Sequence, residues 1–219
     1  MNPASFIDHT LLRQDATIKD IHQLCDEAGS YGFAAVCVPP TYVREAVSQL
    51  RESKVRVATV VGFPFGYHLP MVKTSEAELA IMSGASELDM VANIAALKSG
   101  EWRILETEIR EVLEVVKLRG ARIKVIIESG ILINEELKRC CELYSRFNID
   151  FLKTSTGYAS QGATVEAVHT MKELLAPHIA IKASGGIRTW AFAKELIDAG
   201  AKRLGCSASV QIMREAAEA

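Results

Sequence analysis

No apolar run in the sequence approaches the roughly 20 residues needed to cross a bilayer, so no membrane-spanning helix is expected. The opening stretch, Met1-Asn-Pro-Ala-Ser-Phe-Ile-Asp-His-Thr10, has neither a basic n-region nor an apolar h-region, and no signal peptide is expected. Cysteine occurs five times, an odd set with no C-x-x-C pair and with Cys140 next to Cys141. That is a poor start for a disulfide framework, and reduced thiols in the cytoplasm are the simplest expectation. Charge of one sign is not in excess. With 25 Lys and Arg against 27 Asp and Glu, the net charge of -2 gives no basic face of the kind nucleic acid requires. The five histidines form no H-x-H or H-E-x-x-H spacing, so nothing local asks for a metal. Hydrophobic residues at 49% exclude disorder, and 14 Gly with 6 Pro and no period exclude a collagen-like repeat.

What is present is a regular alternation of short β-branched or apolar runs with longer helical patterns. The candidate strands are 6–10, 33–38, 55–61, 87–91, 123–128, 151–154, 179–183 and 203–206, and the candidate helices are 17–28, 40–52, 73–82, 102–118, 134–147, 164–175 and 190–199. Asp15 and Asn134 stand where N-caps belong, and Thr189 precedes another helical run. Gly29, Gly84, Gly120 and Gly200 fall at or just past helix ends. Eight strands, each followed by a helix or loop, with no Pro/Ser/Gly linker between them, predict one domain over residues 1–219. Its expected fold class is α/β, a (β/α)₈ TIM barrel of parallel strands. The doubly wound rival lacks its fingerprint, because no strand runs into G-x-G-x-x-G.

Side chains alternate along a strand, so each barrel strand has an inward and a helix-facing set. If the bulky aliphatics face the helices, Asp89, Lys153 and Lys182 all point inward near the C-terminal ends of their strands, where barrel enzymes carry their catalytic groups. One such lysine alone reads as part of an internal salt-bridge network, and Lys124 is assigned that role. Two at consecutive strand exits are different. Desolvation and mutual repulsion push a lysine from ~10.4 towards ~7–8, which makes a usable amine nucleophile. With Asp89 for proton transfer or charge balance, the set reads as Schiff-base chemistry on a carbonyl.

Three late strand exits are rich in glycine and hydroxyls: Lys153-Thr-Ser-Thr-Gly157, Lys182-Ala-Ser-Gly-Gly-Ile-Arg188 and Leu204-Gly-Cys-Ser207. Backbone N–H groups in such turns cradle anions, which favours a phosphorylated substrate. Thr154, Gly157, Gly185, Gly186, Arg188, Gly205 and Ser207 are the candidate contacts, although Arg188 reads equally as a surface residue. Asp8 either anchors an internal network or binds substrate hydroxyls. Cys37 reads first as a small core residue and second as a reactive thiol. For Glu128 a structural and a functional role carry equal weight. No heptad or apolar stripe specifies a partner, and a homo-oligomer stays open.

Taken with their neighbours, these residues resemble the deoxyribose-phosphate aldolase family, class I aldolases that interconvert 2-deoxyribose 5-phosphate with acetaldehyde and glyceraldehyde 3-phosphate. The resemblance covers nearly the whole chain. It rests on Ile7-Asp-His-Thr-Leu-Leu12, Ala35-Val-Cys-Val38, Val61-Gly-Phe-Pro-Phe-Gly66, Glu87-Leu-Asp-Met-Val-Ala-Asn93, Lys124-Val-Ile-Ile-Glu128, Phe151-Leu-Lys-Thr-Ser-Thr-Gly157 and Ile181-Lys-Ala-Ser-Gly-Gly-Ile-Arg188. It implies a Schiff base on Lys153, perturbed by Lys182, with Asp89 completing a water-carried proton relay. It also implies Asp8 and Cys37 near the substrate, phosphate contacts at Gly157, Gly185, Gly186 and Ser207, and no metal or organic cofactor. The expected partners are a sugar phosphate and an aldehyde. The chain departs from the pattern at Pro39-Pro40, at Ala208 in place of a second serine, and in ending Glu-Ala-Ala-Glu-Ala without the tyrosine some members extend over the site. Those departures bear on phosphate affinity or closing, not on the chemistry. Two other readings share these residues: a Schiff-base aldolase with a ketone donor, and a non-catalytic sugar-phosphate binder.

Overall fold

The computed structural model describes residues 2–219. Eight strands, β1 (Ile7–Thr10), β2 (Ala35–Val38), β3 (Arg56–Val61), β4 (Glu87–Val91), β5 (Arg122–Ile126), β6 (Phe151–Lys153), β7 (Ala180–Ser184) and β8 (Arg203–Cys206), pair in sequence order. All pairings are parallel, and β8 closes on β1 through Asp8 beside Gly205. The helices are α1 (Ile18–Tyr31), α2 (Val43–Gln49), α3 (Pro70–Met82), α4 (Ile94–Lys98), α5 (Trp102–Leu118), α6 (Asn134–Tyr144), α7 (Val165–Leu174), α8 (Trp190–Asp198) and α9 (Ser209–Glu218). The expected (β/α)₈ barrel is therefore the observed one. No helix among the described residues is long and apolar enough to cross a membrane.

The core is a ring between strands and helices. Leu105, Ile109, Val112 and Val116 line one stripe of α5 and are wholly buried, as the 3.6-residue period requires. Outward strand residues such as Leu88, Met90, Leu152 and Ile181 meet these stripes. The inward set is small or charged instead: Ala35, Cys37, Ala58 and Val60 form a separate apolar group inside the barrel.

Several boundaries differ from the sequence reading. Thr17, not Asp15, caps α1: its hydroxyl accepts from Asp20 N–H while Asp20 accepts from Thr17 N–H at 2.8 Å, and the reciprocal pair outcompetes a lone aspartate two residues earlier. Asn134 is the first helical residue of α6; Ile133 precedes it, with its N–H donated to Glu136 at 3.0 Å. Gly29 lies inside α1, and Gly32 (φ +67°) ends that helix in the left-handed conformation. Gly84, Gly120 and Gly200 do follow helix ends with positive φ, and Thr189 does cap α8. The short α4 and the terminal α9 were not anticipated.

A buried ion pair braces the outside of the barrel. Lys73 of α3 donates to Glu108 of α5 and, at 2.7 Å, to the carbonyl of Val91 at the end of β4, while Glu108 accepts from Asn93 N–H at 3.2 Å. Burial pushes Lys73 below and Glu108 above their ordinary values, so both groups depend on each other for compensation. Lys73→Met is expected to destabilise by about 3–5 kcal/mol, because it strands a buried carboxylate. Pairing it with Glu108→Leu should recover part of that loss. Urea unfolding of both variants checks the difference, and equal stabilities would show that the pair is not coupled.

Candidate active site

Register places the ionisable side chains opposite one another. Asp89 lies beside Lys124 across β4 and β5, and Lys153 beside Lys182 across β6 and β7, so all four point into the barrel. Asp89 is the hub. Its Oδ1 accepts from Lys124 at 2.7 Å, and its Oδ2 accepts from both Lys153 and Lys182, each at 2.7 Å. Lys182 also donates to Asp8, whose other oxygen accepts from Arg203 at 2.6 Å. Deeper still, Glu87 accepts from Lys124 at 2.7 Å and from Arg203 at 3.1 Å. Every member of this network is buried.

The network divides the two lysines. Burial pushes Lys153 below the ordinary lysine range; Asp89 opposes the shift and the Lys182 ammonium adds to it. Lys182 moves the other way. Burial would lower it, but Asp8 and Asp89 more than offset that, and it holds its proton more firmly than a free lysine. The mutual depression expected from the sequence therefore runs in one direction only, because Lys182 has two carboxylates and Lys153 shares one. For Asp89, burial alone would raise the pKa, but Lys124, Lys153 and Lys182 hold it well below the usual carboxylate range. Within this buried set Lys153 is the cation whose pKa is lowered, while at its edge the exposed Arg56 and Arg122 also approach Glu87, at 3.6 and 3.7 Å.

Lys153 alone of this network lines a cavity of about 400 Å³ at the C-terminal mouth of the barrel. A groove of about 700 Å³ between α2 and the start of β4 is larger, but its polar side chains are surface arginines and serines. The buried titratable groups make the smaller cavity the candidate site. Its wall carries Gly157, Gly185, Gly186, Arg188, Gly205 and Ser207, all anticipated from the glycine-rich exits. Gly185 and Gly186 both have positive φ (+86° and +78°), and a Cβ on Gly185 would come within 2.9 Å of Gly162 Cα. Among the described residues, the N–H groups of Gly157, Gly186 and Ser207 meet no protein acceptor, as an anion cradle requires.

The other expected contacts sit deeper. Asp8 is in the network beneath the cavity. Cys37 is buried on the inward face below Leu12 and Phe63, and burial pushes its thiol to about 11, which suits a core residue. Thr154 is wholly buried and bonds to Ser184 from both sides of its hydroxyl, lacing β6 to β7. Arg13 and Tyr158, both on the cavity wall, were not anticipated. Glu87 and Arg203 were also missed, although period-2 alternation puts Glu87 on the face of Asp89.

A family model described as DeoC/LacD family aldolase matches residues 4–210. The chain is 48% identical over 221 residues to a deoxyribose-phosphate aldolase of Thermococcus gammatolerans, covering 100% of this chain and 98% of that one. A Coccidioides immitis crystal structure superimposes with a TM-score of 0.95 at 42% identity, covering 99% and 86% of the two chains. The tetrameric deoxyribose phosphate aldolase of Aeropyrum pernix does so with a TM-score of 0.90 at 32% identity, covering 97% and 89%. The chain is an enzyme, and it belongs to the DeoC/LacD family of aldolases.

Proposed function

We propose that the chain reversibly cleaves 2-deoxyribose 5-phosphate to acetaldehyde and glyceraldehyde 3-phosphate through a Schiff base on Lys153. The observation that carries this reading is the position of Lys153: of the buried cations it alone reaches the cavity, and its pKa is lowered. A neutral amine at that point attacks the C1 aldehyde of the open-chain sugar, and loss of water gives an iminium. The iminium is the electron sink. When the C3 hydroxyl loses its proton, the C2–C3 bond breaks, its electron pair forms the enamine, and C3 becomes the aldehyde of glyceraldehyde 3-phosphate. Protonation of the enamine at C2 and hydrolysis release acetaldehyde and restore the amine.

Lys182 and Asp89 have matching roles. Lys182 stays an ammonium, so it stabilises the developing alkoxide side of the reaction and keeps Lys153 short of its proton. Asp89 stays a carboxylate and fixes both nitrogens on one oxygen, from which an active-site water can relay a proton. The free N–H groups of Gly157, Gly186 and Ser207, with Arg188 at the rim, suit the 5-phosphate. The five buried free thiols fit a reducing compartment, and we place the activity in the cytoplasm, in the breakdown of deoxynucleosides.

Borohydride reduction in the presence of acetaldehyde tests the chemistry. Mass spectrometry of digested protein should find one two-carbon adduct, on Lys153. An adduct on Lys182 instead would move the nucleophile, and none from folded protein would remove the Schiff base. Acetone and dihydroxyacetone phosphate as alternative donors should form little adduct.

A further inference from the structure

Glu128, just beyond β5, has φ +51° and ψ +56°, and among the described residues it is the only one besides glycine with positive φ. A residue carrying a Cβ is strained there, and such strain persists where the surroundings hold it in place. Here the carboxylate is what is held. Its two oxygens accept from Thr156 N–H at 3.2 and 3.3 Å, and Oε2 also accepts from the Thr156 hydroxyl. Thr156 Oγ1 in turn accepts from Tyr158 N–H at 3.0 Å, and the Tyr158 hydroxyl donates to the Leu12 carbonyl at 2.8 Å. The Tyr158 ring meets Phe63 edge-on, with centroids 5.3 Å apart. One continuous chain therefore runs from the β5 exit through the β6 exit to the β1 exit, across the mouth of the cavity. Thr156, Gly157 and Tyr158 form part of its wall, and Glu128 does not touch it.

The β5 and β6 exits are already tied by backbone: Ser129 N–H donates to the Thr154 carbonyl at 2.7 Å, and Ile127 N–H to that of Lys153 at 3.1 Å. The carboxylate adds nothing that closing this turn requires. Its bonds go to the one stretch that carries Gly157, on the phosphate side of the site, rather than to Lys153. Burial raises the Glu128 pKa, opposed by the hydrogen bonds from the Thr156 hydroxyl and N–H and by the nearby Lys153 charge.

We propose that Glu128 is a positioning residue: through Thr156 it fixes the 156–158 wall and so sets affinity for the phosphate end of the substrate. This inference rests on the reading of the substrate given above. Glu128→Gly is the informative variant, because it relieves the left-handed strain while deleting the carboxylate. It should fold with an unchanged or higher Tm, yet raise KM for 2-deoxyribose 5-phosphate about tenfold with kcat within about threefold. For phosphate-free 2-deoxyribose, kcat/KM should move less than about threefold. Glu128→Gln should fall between, and its effect should be non-additive with that of Thr156→Val. Inorganic phosphate binding, measured by calorimetry, gives an arm independent of turnover: wild type should bind about tenfold more tightly than Glu128→Gly. If wild type binds phosphate in this way but cleaves no deoxyribose phosphate, the substrate reading fails and the positioning role stands. A Glu128→Gly protein with wild-type KM and wild-type phosphate affinity overturns the role, as does an equal loss on both sugars.

Discussion

Lys153→Met is expected to leave a folded protein whose turnover of 2-deoxyribose 5-phosphate falls on the order of 10⁴-fold or more. Methionine keeps most of the volume of the lysine stem, so the floor of the cavity stays filled. The loss is confined to one nitrogen, and with it the iminium that makes the C2–C3 bond breakable. The fold gives up little, because Lys153 is the cation that the interior holds least well: burial already lowers its pKa. Asp89 keeps Lys124 and Lys182 as donors at 2.7 Å, so its carboxylate stays compensated. Thermal unfolding should therefore give a Tm equal to or above that of wild type. Steady-state kinetics beside the melting curve separates the cases. Near-wild-type turnover removes Lys153 as nucleophile, and a large drop in Tm shows that its charge was structural.

The inward placement of Lys153 is legible in the sequence, and that of some of its surroundings is not, for physical reasons. Strand alternation is a local rule: Asp89 stands between Leu88 and Met90, Lys182 between Ile181 and Ala183, and Lys153 follows Leu152, so three short runs suffice to turn them inward. The same rule applies to Glu87 and Arg203, but both open their strands, where the alternating run has barely begun. Their place beneath the site comes from the closing of the barrel, which brings β8 next to β1 and Arg203 within 2.6 Å of Asp8. Lys73 and Glu108 were illegible for another reason. Each is a single charge on an otherwise buried helical face, and nothing in either helix says that the other supplies its partner. Arg13 and Tyr158 come from loops after β1 and β6, whose meeting depends on the Tyr158 hydroxyl reaching Leu12. The helix-start errors are subtler. Asp15 and Thr17 are both capping residues, and only the reciprocal bond with Asp20 decides between them.

Lys182→Met should shift the pH dependence of catalysis as well as its size. In wild type, the acid limb of kcat/KM reports the loss of the proton from Lys153, since only the neutral amine attacks. Burial lowers that pKa first, and the Lys182 ammonium lowers it further against the pull of Asp89. Removing the ammonium leaves burial and Asp89, so the Lys153 pKa rises and the acid limb moves to higher pH. Each unit of that rise costs about tenfold in the fraction of neutral amine below the limb. Loss of the alkoxide-stabilising charge lowers the plateau as well, by roughly 10²–10³-fold. The structural effect is separable. Asp8 keeps Arg203 and Asp89 keeps Lys124 and Lys153, but each carboxylate loses a buried donor, and stability should fall by about 3 kcal/mol. A full pH profile on protein held well below its Tm distinguishes these effects. A lower plateau with an unmoved acid limb would confine Lys182 to transition-state charge. A moved limb with an intact plateau would confine it to tuning Lys153.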